Sequence, residues 1–272
     1  DAQTRKTVMR WAADQLPRDQ LMVGTGMPAL NDTIAMTLHA DELGYEIALV
    51  LPPYYYAPVS NAGLVAWYLA LHEALGGRTI QIYFYNFPQM TGLSIPVEVI
   101  AELSDRAPMR FTGIKDSSGD LDYARAIVAA NNHLHVFPSS ETALATAHAD
   151  GFAGCISATV NITCKLAAEI WSERKAPDQD KCNILARQRG LMAGPNLIPA
   201  IKYLISRRVN DERWQYLMPP FLPLPENEGD TLRKALEASG SGTRTKSGQT
   251  ASWACAKKLR HGLRTATTRL DA

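Results

Sequence analysis

The feature that most constrains the fold is a repeat. Short apolar runs of strand character recur about every 25 to 30 residues, and a stretch of helical period follows each one. The runs are "LMVGTG" (21–26), "EIALVLPP" (46–53), "IQIYFYNFP" (80–88), "RFTGIK" (110–115), "LHVFPSS" (134–140) and "GFAGCIS" (151–157). Between them lie "NDTIAMTLHADELG", "NAGLVAWYLALHEALGG", "PVEVIAELSDRA", "DLDYARAIVAAN" and "ETALATAHAD". Strand and helix alternating at this spacing predict a parallel sheet with crossover helices, six βα units in all. The opening "DAQTRKTVMRW" reads as an amphipathic helix rather than a signal peptide.

Polar residues gather where each run passes into its loop: Gly24, Thr25, Gly26, Tyr54, Tyr55, Tyr85, Asn86, Lys115, Ser139, Ser140 and Ser157. In a (β/α) barrel that end of the strands is the catalytic face. The alternative, an open doubly wound sheet, calls for G-x-G-x-x-G. Here "GTGMPA" has only the first two glycines, with no acidic residue on a following strand.

After Ile162 the strand signal stops. "CKLAAEIWSERK", "DQDKCNILARQRGLMA" and "NLIPAIKYLISRR" read as helices, "MPPFLPLP" as an extended connector and "NEGDTLRKALEA" as a last helix. The expected organisation is a barrel segment over 1–162, a helical region over 163–236, and a basic tail over 237–272, disordered or non-native, rich in Gly, Ser and Thr.

Composition narrows the function. Lys plus Arg number 28 against 27 Asp plus Glu, so no global field recruits nucleic acid or an anionic membrane. No apolar run approaches the roughly 18 residues that span a bilayer. The four cysteines form no C-x-x-C pair and have no histidine at zinc-ligand spacing, so no metal is expected, and they read as reduced thiols of a cytoplasmic protein. A small molecule is the expected ligand.

Five spaced elements then occur in a set order: "GTG" at 24–26, "PPYY" at 52–55, "YN-P--TG" at 85–92, "GIKD" at 113–116 and "G--G-ISA--N" at 151–161. This pattern resembles the family of dihydrodipicolinate synthase and N-acetylneuraminate lyase, class I pyruvate-dependent aldolases on a (β/α)8 TIM barrel with a C-terminal helical extension. The resemblance runs from Asp1 to about Leu236 and begins in the helix after the family's second strand. The strands present are therefore expected to be the third to the eighth, with about 50 to 60 residues of a full barrel preceding Asp1.

The resemblance implies roles. Lys115 is the Schiff-base nucleophile, so the chain needs no cofactor, and Tyr85 is the proton carrier. Tyr55 matches a tyrosine that crosses a dimer interface into the neighbouring subunit's relay, which implies a homodimer or homotetramer. Ile156 matches the position whose carbonyl lines the site. The chemistry has an independent rationale: a lysine amine near its free pKa of ~10.4 cannot attack a carbonyl, and burial disfavours the ammonium. The neutral amine adds to the keto carbon of pyruvate and loses water, and the iminium then serves as an electron sink.

Family members that take aspartate semialdehyde carry an arginine where this chain has Met90, and a thioether cannot replace a bidentate guanidinium. Ser139, Ser140, Glu141 and Thr159 are placed to bind the hydroxyls of a sugar acid, or else act as turn formers and a helix cap. The expected activity is cleavage of a 2-keto-3-deoxy sugar acid to pyruvate and an aldehyde, or the reverse. The alternatives are 4-hydroxy-tetrahydrodipicolinate synthase and a non-catalytic keto-acid-binding barrel remnant.

Overall fold

Five of the six apolar runs are parallel strands in the computed structural model, which describes residues 1–240. They are β1 (Met22–Gly24), β2 (Ile47–Val50), β3 (Gln81–Asn86), β4 (Phe111–Asp116) and β5 (His135–Pro138), hydrogen-bonded in sequence order. The helices are α1 (Ala2–Gln15), α2 (Leu30–Glu42), α3 (Asn61–Leu75), α4 (Pro88–Thr91), α5 (Val97–Arg106), α6 (Leu121–Ala130), α7 (Ala147–Asp150), α8 (Val160–Ser172), α9 (Gln179–Met192), α10 (Leu197–Val209) and α11 (Glu226–Ser239).

The sixth run, "GFAGCIS", is not a strand, which corrects the count of six. Gly151 and Gly154 hold φ values of 73° and 148°, outside the extended region, so the backbone there cannot sustain a ladder. Ala153 still donates to the Val136 carbonyl at 2.9 Å. A second correction concerns the tail expected from residue 237. Glu237, Ala238 and Ser239 still belong to α11, whose last turns are held by the Arg233–Glu237 pair at 2.8 Å and by Leu236 packed on a hydrophobic cluster. The rest of that segment, 241–272, lies outside the described residues.

The described residues divide into two compact units, Asp1–Ser140 with Ala149–Cys155, and Glu141–His148 with residues 156–240. In the first, the two faces of the sheet differ. Ala48, Val50, Ile82, Phe84, Ile114 and Val136 are fully buried on the helix-covered face. There Tyr68 of α3 meets Phe84 and Phe111 edge-on, at 5.0 and 6.2 Å. Burying side chains of this size stabilises by roughly 1.5–3 kcal/mol each. The opposite face carries Leu49, Gln81, Tyr85, Lys115 and His135, all half-buried, and the more deeply buried Tyr83. In the second unit, Met192, Ile201 and Leu204 form a cluster with Ile162, Leu197, Leu232 and Leu236.

Candidate active site

Strand register sets the first relationship. Parallel pairing of β3 with β4 places Tyr85 opposite Lys115, where both strands run into their loops. The Lys115 amine donates to the Tyr85 hydroxyl at 2.6 Å, and Nζ lies 3.8 Å from the ring centroid. Both side chains are half-buried, so they are partly desolvated yet accessible.

Simple alternation along "FTGIKD" would put Phe111 and Lys115 on one face. Instead the register slips by one residue between Ile82 and Tyr83. Phe111 stacks on Phe84 at 5.4 Å on the helix side. Thr112 donates to Gln81 at 2.6 Å on the other side, where Gly113 and Lys115 also lie. The bulge lets a strand begin on a core phenylalanine and end with its lysine facing Tyr85. Gly113 is required here, because a Cβ would sit 2.7 Å from two ring carbons of Tyr83 and 2.8 Å from the His135 carbonyl oxygen.

Behind this pair, on the helix side, Asn86 and Asp116 are the next register partners. Asn86 is fully buried and Asp116 nearly so. Asn86 Nδ2 donates to Asp116 Oδ1 at 2.8 Å, and the Ile95 amide donates to Asn86 Oδ1 at 3.0 Å. Asp116 also accepts from the Ser118 amide at 3.1 Å and its hydroxyl at 2.8 Å. Ser117 N bonds the Asn86 carbonyl at 2.7 Å, and Gln89 bonds the Ser118 carbonyl at 2.6 Å. These bonds join the loops after β3 and β4 and fix the strand ends that present Tyr85 and Lys115. Sequence reasoning gave Asp116 no role. The signal that marks it is a carboxylate closing a strand whose other helix-side residues are Phe111 and Ile114.

The remaining sequence-derived candidates are dispersed. Tyr55, in a short 3-10 turn after β2, is 75% exposed and stands edge-on to Tyr56 at 5.4 Å. Met90, in α4, is 73% exposed. Ser139 and Ser140 follow β5 and are half-buried, as is Ile156.

In the second unit Glu141 is fully buried and Thr159 is 1% exposed. Glu141 accepts from Ser157 at 2.6 Å, from Thr159 at 2.6 and 2.7 Å, and from Thr163 at 2.9 Å. Arg189 of α9 donates to Glu141, Ser157 and Thr159 at 2.9, 2.9 and 2.7 Å. Burial pulls the Glu141 carboxyl upward, but the Ser157 and Thr159 hydroxyls and the Arg189 charge outweigh it and hold the group below the usual carboxylate range. Glu141 and Thr159, read from sequence as binders of substrate hydroxyls or as turn and cap residues, bond here to each other and to Arg189. Arg189 gave no sequence signal, since its partner lies 48 residues away.

A model of the dihydrodipicolinate synthetase family matches residues 3–239. An uncharacterized DapA-like lyase of Chloroflexus aurantiacus is 33% identical over 82% of this chain and 75% of its own length. A 4-hydroxy-tetrahydrodipicolinate synthase of Methylobacterium radiotolerans is 30% identical, over 80% and 73%. The crystal structure of the chloride-inhibited dihydrodipicolinate synthase of Acinetobacter baumannii, complexed with pyruvate, superposes with a TM-score of 0.73. It is 25% identical and covers 88% of this chain and 82% of that one. The fold is thereby that of α/β (β/α)8 barrels with a C-terminal helical extension.

Proposed function

The chain belongs to the dihydrodipicolinate synthetase family, and from that membership we propose that it is a pyruvate-dependent class I aldolase acting through a Schiff base on Lys115. The observation that carries this reading is the 2.6 Å contact between Lys115 Nζ and Tyr85 Oη on the open face of the sheet. The neutral amine adds to the keto carbon while Tyr85 protonates the carbonyl oxygen, and the carbinolamine loses water to give an iminium. In the cleavage direction a base takes the substrate's hydroxyl proton, the adjacent C–C bond breaks, and its electron pair passes into the iminium. An aldehyde leaves. The enamine is then protonated and hydrolysed, releasing pyruvate and the amine.

The substrate we favour is a 2-keto-3-deoxy sugar acid, with Ser139 and Ser140 after β5 as candidate hydroxyl partners. Met90 supports this choice, since it offers no charge to a second carboxylate. The names of several relatives favour the rival, condensation of pyruvate with aspartate semialdehyde.

Borohydride reduction in the presence of pyruvate tests the core of the reading. A stable mass increase should appear on the peptide containing Lys115 and vanish in Lys115→Ala. An unchanged adduct in that variant, or none in the wild type, sinks the assignment.

A further inference from the structure

Tyr85 has a second neighbour that the reaction just described leaves unused. Phe87 follows it by two residues, the spacing that returns a side chain to the same face of an extended chain about 6.5 Å further on. The two rings stack accordingly, with centroids 5.8 Å apart and planes 21° from parallel, a geometry within the attractive range for aromatic pairs. Phe84 and Phe111 are fully buried on the helix side, whereas Phe87 is half-buried and its ring partner is Tyr85.

The backbone that carries Phe87 is fixed on both sides. Before it, Asn86 is fully buried and bonded to Asp116 and to the Ile95 amide. After it, Pro88 opens α4, and the Phe87 carbonyl accepts from the Met90 amide, the Thr91 amide and the Thr91 hydroxyl, each at 3.0 Å. A half-buried tyrosine keeps one rotamer only where its neighbours close off the others. Here the Tyr85 hydroxyl meets Lys115 Nζ at 2.6 Å, and its ring meets a phenylalanine on an anchored backbone.

We propose that Phe87 is a positioning residue for Tyr85, its ring holding the tyrosine ring at the angle that keeps the hydroxyl on the Lys115 amine. The consequence for catalysis rests on the reading of Tyr85 as the proton carrier. Such a carrier works only within hydrogen-bond reach of the group it serves. An aromatic pair of this kind shifts an equilibrium by roughly two- to tenfold, so loss of the Phe87 ring should lower the share of molecules with the hydroxyl in place by up to that factor.

The test joins a rate to a measure of order. The full chain is mixed with pyruvate and quenched with borohydride after set times, and the adduct on the Lys115 peptide is followed by mass spectrometry. Phe87→Ala should slow its growth by roughly two- to tenfold, and Phe87→Tyr, which keeps the ring, should match the wild type. In a Tyr85→Phe background, which keeps the stack but lacks the hydroxyl, Phe87→Ala should slow it no further. The NMR order parameter of the Tyr85 ring, read from isotope-labelled tyrosine and assigned by the signal that Tyr85→Phe lacks, should fall in Phe87→Ala.

An unchanged order parameter in Phe87→Ala overturns the proposal. So does an adduct that grows at the wild-type rate in that variant, or a slowing that persists in full in the Tyr85→Phe background, since Phe87 would then act by another route. Should Phe87→Ala not fold, Phe87→Leu, which keeps much of the volume but not the flat ring, is judged by the same criteria. No adduct in the wild type, together with a fall in the order parameter, sinks the aldolase reading and supports the hold of Phe87 on Tyr85.

Discussion

Asn86 donates a 2.8 Å hydrogen bond to Asp116 one residue beyond Tyr85 and Lys115, on the opposite face of the same two strands. The reactive pair on the open face is therefore backed by a buried polar pair on the closed one. Tyr85 and Lys115 are held at the ends of strands that are themselves tied together, so geometry at the amine depends on residues that do not touch it.

Asn86→Leu should leave the Asp116 carboxylate short of a donor in a buried site, a loss of about 1–3 kcal/mol. Asp116→Leu should cost a similar amount, and the double variant less than the sum of the two, because each single change strands the other partner. Urea denaturation of the four proteins measures the coupling. Purely additive losses would show that the pair is not a unit.

Glu141 makes the fold sensitive to acid. A carboxyl held below its ordinary value contributes stability that is fully present above its unfolded-state value and is lost as pH falls through the folded-state value. Wild-type stability should therefore fall below about pH 4.3 more steeply than that of Glu141→Gln. His135 adds to the acid loss earlier: its lowered value means that the unfolded chain binds the proton first, so stability declines below about pH 6.5. At neutral pH Arg189→Met should cost about 3 kcal/mol, since the hydroxyls still serve the buried carboxylate after its counter-charge is gone. Unfolding curves across pH check all three. Parallel wild-type and Glu141→Gln curves would contradict the carboxylate argument.

Met90→Arg places a guanidinium on an exposed turn of α4 with little packing to disturb. Turnover of aspartate semialdehyde with pyruvate should rise by roughly ten- to a hundredfold, the worth of one charge-assisted clamp of about 1.5–3 kcal/mol. Steady-state kinetics on the two proteins decide it. An already efficient wild type would promote the synthase reading.

Much of this was legible in the sequence. The strand-to-helix alternation marked β1 to β5, and the apolar runs ended on the residues that meet across strands. The run at 151–157 misled because its composition is strand-like, while its two glycines adopt backbone conformations that composition does not reveal. Glu141 read as a hydroxyl binder or a turn former after a strand. Its burial depends on Arg189 from a distant helix, a long-range pairing with no local period. Asp116 was hidden for a different reason: which face of β4 it occupies depends on the bulge, and alternation alone gives the wrong answer from Phe111 onward.

The slip at Thr112 divides the strand into two halves of different parity. Remove that one threonine and the remaining strand alternates regularly, with phenylalanine still towards the helices and lysine still towards Tyr85. Thr112 is slack in the ladder, an odd residue that breaks the parity of the strand's first half without touching its second. The heading of the amine is therefore set by the strand from Gly113 onward and not by the residues that lead into it.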